Sequence, residues 1–176
     1  MSEQLPVVYL IVLVVLLSVS AFFVLREIIK ARRIEGTLNR LQNKLKKESG
    51  TAKEYYELGS IYLDKKLYVQ AIKLLQKSLK VENDLEPENR ALVYNALGYA
   101  YFAQEQYDLA IRQYKEAIQC NPQYVTAFNN LGSTYERKQM TNKALETYEQ
   151  ALKYQPNNST AKRRAESLRK RLVPIK

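Results

Sequence analysis

From Ala91 to Asn158 the chain consists of two consecutive copies of one 34-residue unit, laid end to end without a gap. Tyr94, Leu97, Gly98, Tyr101, Ala110, Tyr114, Ala117 and Pro122 recur at a constant offset as Phe128, Leu131, Gly132, Tyr135, Ala144, Tyr148, Ala151 and Pro156. A period of this length describes a helical pair that cannot bury its apolar face alone and must stack on copies of itself. The stretch is therefore restricted to an all-α solenoid, an architecture that offers an extended binding surface.

A third copy lies upstream. Tyr55, Leu58, Gly59, Tyr62, Ala71 and Leu75 match the same positions, and Ser78 takes the place of Ala. Gly59 and Gly98 are 39 residues apart, whereas Gly98 and Gly132 are 34 apart, so five extra residues separate copies one and two, most simply Glu86 to Arg90. Pro87 followed by Glu88 suits the first turn of a helix, because proline lacks an amide that would be unpaired there anyway. The second copy's first helix is thus expected to begin one turn early. A mid-helix glycine costs about 1 kcal/mol relative to alanine, and one stands at the same register in each copy. Close helix approach is the expected compensation, with Gly98 facing Ala110, Gly132 facing Ala144, and Gly59 and Ala71 the equivalent residues of copy one. Tyrosines at repeat positions read as core packing. Pro122 and Pro156 each follow a helix that they prevent from continuing.

The net charge of +10 is unevenly placed. From Arg26 to Glu48 there are eight basic and three acidic residues, and from Ser159 to the end seven basic residues stand against Glu166. The repeats between are electroneutral. Nucleic-acid binding is not expected from basic flanks that bracket a neutral core and lack interleaved aromatics. No histidine and a single cysteine, Cys120, exclude a His-based general base, a His/Cys zinc site and an intrachain disulfide. No nucleophile–base pair, phosphate loop or metal constellation is present either. The reading is of a protein without catalytic, cofactor or metal residues, and Cys120 reads as a small packed thiol.

Leu5 to Leu25 carries no charge and is rich in Val, Leu, Ile and Phe. As a helix it rises about 31 Å, enough to cross a bilayer's hydrocarbon core. A cleaved signal peptide competes, with Val19-Ser20-Ala21 as its cleavage site, but Glu3 replaces the usual basic start and the apolar run exceeds about 15 residues. Arg26, Lys30, Arg32 and Arg33 follow the span and no Lys or Arg precedes it, so the C-terminal side is expected on the cytoplasmic or stromal face. Beyond it, Ile34, Leu38, Leu41 and Leu45 form one apolar stripe on a basic stalk. That stripe would pack on the first repeat, pair with a second copy through residues 34–45, or lie on anionic lipid.

The expected organisation is a short non-cytoplasmic tail at 1–4, an anchor at 5–25, a basic amphipathic stalk at 26–50, and repeats at 52–85, 91–124 and 125–158 with the insert at 86–90. A basic capping helix follows at 159–172, with Ala161, Ala165, Leu168 and Leu172 as its apolar face, and a tail at 173–176.

The repeat pattern resembles the tetratricopeptide repeat, with Tyr or Phe in place of the usual leading Trp; copy one departs in having Asn83 where the closing proline stands. The resemblance implies that the first helix of each repeat lines a concave groove. It assigns Lys53, Tyr56, Ser60, Leu63 and Asp64 in copy one, Leu92, Asn95, Tyr99, Phe102 and Ala103 in copy two, and Thr126, Asn129, Ser133, Glu136 and Arg137 in copy three. Copies one and two would supply an apolar, aromatic floor, and Asn95 and Asn129 would clamp a peptide backbone by donating and accepting. The competing reading is that the aromatics only pack against the stalk or the insert. Relatives that grip chaperone C-termini carry Lys, Asn and Arg where this chain has Tyr56, Ser60, Thr126 and Asn130, so a chaperone-tail clamp is not expected.

The whole chain is similar to a narrower family. Leu5-Pro6, Arg32-Arg33-Ile34-Glu35, the segment from Leu38 to Leu45, and Glu54-Tyr55-Tyr56-Glu57-Leu58-Gly59-Ser60-Ile61-Tyr62-Leu63-Asp64-Lys65-Lys66-Leu67-Tyr68 together resemble the photosystem I assembly factors of cyanobacterial and algal plastid thylakoids. The resemblance implies a non-catalytic assembly or stability factor at the thylakoid membrane, with photosystem I subunits or assembly intermediates as partners. A membrane-tethered receptor or a homo-oligomeric scaffold is the alternative.

Overall fold

The computed structural model describes residues 5–81 and 85–172. Asn83 and the expected tails at 1–4 and 173–176 lie outside the described residues. The described residues form eight α-helices: α1 (Leu5–Lys47), α2 (Ala52–Asp64), α3 (Tyr68–Val81), α4 (Pro87–Ala103), α5 (Tyr107–Cys120), α6 (Val125–Arg137), α7 (Thr141–Tyr154) and α8 (Ser159–Leu172). They divide into two compact units, one up to Lys47 and one from Glu48 onward.

In the first unit, anchor and stalk are one continuous helix that ends at Lys47, three residues short of the expected boundary. After Pro6 no proline breaks it; the Val, Ile and Phe residues of the apolar part each cost up to about 0.7 kcal/mol of helix propensity and Gly36 about 1 kcal/mol. Val7 to Leu25 presents its large apolar side chains on all sides, and a stretch of mean hydropathy 3.0 makes α1 long and apolar enough to cross a membrane. Ser18 and Ser20 donate their hydroxyls to the carbonyls of Val14 and Leu16 at 2.8 Å, so neither needs an outside partner within that stretch.

The second unit is the solenoid, each helix packing chiefly on its neighbours in sequence. Thr51 opens it with a reciprocal cap. Its hydroxyl accepts from the Glu54 amide at 3.3 Å while the Glu54 carboxylate accepts from the Thr51 amide at 3.1 Å. Ala71, Ala110 and Ala144 are wholly buried, as are Ala117 and Ala151. Ser78 sits at the register of Ala117, and its hydroxyl is satisfied at no cost to packing by donating to the Ala52 carbonyl at 2.7 Å.

The side chains nearest the glycines are not the alanines. A Cβ built on Gly98 would stand 2.5 Å from Cε1 of Tyr114, and one on Gly132 would stand 2.8 Å from Cε1 of Tyr148. The first contact at each is therefore a tyrosine ring, where Ala110 and Ala144 were expected. The missing side chain is the seat of a tyrosine ring from the second helix of the same repeat, and the alanines serve a separate contact. Copy one carries Leu75 in place of the tyrosine, and there the same test gives 3.0 Å.

Each turn between the two helices of a repeat places one non-glycine residue in the left-handed region: Lys66 at φ 60°, Glu105 at φ 59° and Gln139 at φ 58°. The amides of Leu67, Gln106 and Met140 close these turns on the carbonyls of Tyr62, Tyr101 and Tyr135 at 2.8–2.9 Å. The insert also has a definite form. Helix α4 starts at Pro87, four residues before the register at which α6 starts at Val125, adding one helical turn ahead of Ala91.

Candidate protein-docking groove

Helices α2, α4 and α6 meet along one face of the repeat unit, α2 touching α4 and α4 touching α6. The apolar residues assigned to this face lie on its first two helices. Leu92 is 39% exposed and Tyr99 46% exposed, values far above those of the core residues Val93 and Leu97 that flank them on α4. Tyr99 is braced edge-on by Tyr68, the ring centres 6.5 Å apart, and Phe102 lies 5.6 Å from Tyr107. Tyr56 and Leu63 are half-buried and pack on the Leu75–Val93–Leu97 cluster. Lys53 and Asp64 are exposed.

The extra turn of α4 changes this face. Between α2 and α4 lies a cleft of about 330 Å³ lined by Lys53, Tyr56, Leu85, Asn89, Leu92 and Val93. Asn89 belongs to the turn that the insert adds, so an irregularity of spacing becomes one wall of a recess. Ser60, by contrast, spends its hydroxyl on the Tyr56 carbonyl at 2.9 Å.

Asn129, Asn130 and Glu136 of the third repeat are bonded within the protein itself. Asn130 donates its amide to the Asn95 carbonyl oxygen at 2.9 Å, and Asn129 donates to the Asn158 side chain at 3.2 Å. Asn158 also accepts from the Ala161 amide at 2.9 Å, which makes it the N-cap of α8. Glu136 accepts from the Tyr148 hydroxyl at 2.8 Å and pairs with Arg164 at 3.7 Å. Thr126 and Arg137 remain exposed, with Ser133 and Ala103 half-buried. Asn95 and Asn129, expected to clamp a backbone alike, are not equivalent in their bonding. The Asn95 carbonyl oxygen accepts one bond and the Asn129 amide donates one within the protein, and Asn129 Oδ1 is buried without a partner among the described residues.

Sequence reasoning placed Asn130 only as a residue that departs from the chaperone-tail clamp, and it passed over the roles of Asn158 and Tyr124. Asn158 had a readable signal, an asparagine immediately before a helix. Tyr124 lies half-buried near Tyr56; burial pushes its phenol above the ordinary value, and the Tyr56 phenol adds to the shift. Tyr114 is raised strongly by burial, then by Tyr99, and Tyr148 by burial, then by its hydrogen bond to Glu136. Cys120 is half-buried, its thiol raised chiefly by desolvation, with Arg90 opposing and Glu116 adding to the shift.

A tetratricopeptide repeat profile matches residues 52–85 and 125–158, and a TPR repeat profile matches residues 98–139. The fold has solved counterparts. MamA superimposes with a TM-score of 0.72 at 25% identity, over 80% of each chain. The first TPR of Spaghetti (RPAP3), bound to an HSP90 peptide, superimposes with a TM-score of 0.64 at 24% identity, over 72% of this chain and 97% of that one. Stacked helical pairs with an open face on their first helices define a tetratricopeptide-repeat protein.

Among relatives, the ycf37 protein of Cyanophora paradoxa is 44% identical over 65% of each chain, and that of Guillardia theta is 34% identical over 71% of this chain and 70% of its own. The chloroplastic tetratricopeptide repeat domain-containing protein PYG7 of Arabidopsis thaliana is 37% identical over 68% of this chain and 40% of its own. The chain therefore spans less than two thirds of the Cyanophora and Arabidopsis proteins. It belongs to the ycf37 family of tetratricopeptide-repeat proteins.

Proposed function

We propose that the chain is a membrane-anchored, non-catalytic docking module that assists photosystem I assembly or stability at the thylakoid membrane. One observation carries the docking reading: Leu92 and Tyr99 leave apolar surface open on α4, beside a recess that Leu92 and the half-buried Tyr56 line. Exposed apolar surface of this kind marks an interaction site. Residues 5–25 supply the anchor, in keeping with the exposed apolar surface of Val7 to Leu25. The positive flank assigns the repeats to the cytoplasmic or stromal side. Confinement to one membrane raises the effective concentration of binder and partner, so weak contacts suffice. The photosystem I assignment draws on the whole-chain resemblance, from Leu5-Pro6 through the first repeat, and the plastid setting on the chloroplastic Arabidopsis relative.

Deleting the gene and measuring photosystem I against photosystem II, under ordinary and high light, tests the assignment. Selective loss of photosystem I is expected. An unchanged ratio in both conditions would refute the assembly role and leave a receptor or scaffold reading.

A further inference from the structure

Helix α8 presents a surface that the groove does not use. Its apolar side is buried at Ala161, Ala165 and Leu168, against α7. Of its six cations, Arg164 is held by Glu136 at 3.7 Å and Arg169 by Glu149 at 2.7 Å. Lys162, Arg163, Lys170 and Arg171 are exposed, and among the described residues no carboxylate pairs with them. Glu166 is the only acidic residue on the helix, so the open side carries a net charge of three.

An acidic protein and an anionic bilayer would both be attracted to this face. A specific protein interface has a closely packed centre enriched in aromatics and depleted in lysine. Here the open side offers Lys162, Arg163, Lys170 and Arg171 around Glu166, with no aromatic or large apolar side chain among them. A fluid layer of anionic headgroups asks for no matching shape and rewards each cation separately, by about five-fold in occupancy per charge.

We infer that the exposed cations of α8 form a second, peripheral membrane contact, made with the anionic headgroups of the bilayer that holds the chain. Three net charges bias the contact by on the order of 100-fold. The inference rests on the anchored reading in one respect, that α1 keeps α8 near lipid. Its consequence is orientational: a unit held at both its anchored end and its last helix docks partners in a restricted pose.

The test uses the full chain with Cys120→Ser and Ser167→Cys and a nitroxide at position 167, in lipid nanodiscs containing headgroup-chelated nickel. One set is phosphatidylcholine, the other contains about a third phosphatidylglycerol. Nickel-induced relaxation of the nitroxide is expected to be several-fold greater with phosphatidylglycerol. It should fall to the phosphatidylcholine level at about 1 M salt, where the Debye length is near 3 Å. The variant Lys162→Gln/Arg163→Gln/Lys170→Gln/Arg171→Gln, whose altered side chains make no packing contacts in the core, should lose the difference while keeping its helical content. Equal relaxation in the two lipids, or a lipid difference that survives in the variant, would overturn the inference. Integration of α1 is read separately, from co-elution with the zwitterionic discs. Loss of co-elution fails the anchored reading, whereas integrated chain without the lipid difference fails the α8 contact alone.

Discussion

At the scale of single residues, the repeat is organised by which side chain fills the space left by a glycine. The ring of Tyr114 lies so close to Gly98 that a methyl group there must displace it, and a buried ring has nowhere to go. Gly98→Ala is therefore expected to destabilise the repeats by about 1–3 kcal/mol despite the gain in helix propensity. Gly132→Ala should cost somewhat less. Gly59→Ala should cost least of the three, because Leu75 at 3.0 Å is flexible where a ring is not. Gly36 has nothing within 4 Å, and Gly36→Ala should be neutral or stabilising by up to about 1 kcal/mol. Thermal melts of the four variants in one detergent check the order; a native melt for Gly98→Ala would refute it. The same tyrosines set an alkaline limit. Tyr114 and Tyr148 titrate above the ordinary phenol value of 10.0, so their contribution is complete below about pH 10. It is lost as pH rises further, because the unfolded chain gives up its phenolic protons first. Tyr114→Phe should change neutral-pH stability by no more than about 1.5 kcal/mol and flatten the fall above pH 10. A fall unchanged in the variant would contradict the assignment.

At the scale of elements, the helices, their order and the one-turn extension of α4 were legible in the sequence, because glycine, alanine and proline recur at fixed registers and Pro87 signals a helix start. Three features were not. Lys66, Glu105 and Gln139 adopt the left-handed conformation without being glycine or asparagine, so composition gave no cue and only the turn's closing hydrogen bonds reveal it. Glu105→Gly is expected to stabilise the unit by about 1 kcal/mol, since that conformation costs an L residue about 1–2 kcal/mol. An unaltered or lowered urea midpoint would contradict this. The tyrosine ring seated on Gly98 and Gly132 was not legible, because spacing reports which positions are small and not which side chain crosses between helices. The polar groove positions Asn129 and Glu136 were credited to a ligand when they hold α8, a choice that depends on the helix stacked next to them. Asn158 joins these elements, capping α8 while accepting from Asn129. Asn158→Ala should lower stability by about 1–2 kcal/mol and fray α8, visible as faster amide exchange at Ala161 and its neighbours. Unchanged exchange would show that the cap carries no weight.

At the scale of the whole molecule, the division of labour follows from where charge and apolar surface fall. The apolar part of α1 has no polar face with which to meet water, the repeats are neutral with an open aromatic stretch on their first two copies, and the basic surface lies in the flanks. Docking on α2 and α4, next to the recess that the insert creates, is the central claim. Its most direct measurement places a photo-crosslinking residue at position 99 in the intact protein in its own membranes, with a second at the exposed position 153 as comparison. Crosslinks from position 99 to photosystem I subunits or their assembly intermediates are expected, absent from position 153 and lost on Leu92→Ala. Crosslinks to such partners from position 153 alone, or from position 99 only to a second copy of the chain, would contradict the groove as the docking surface.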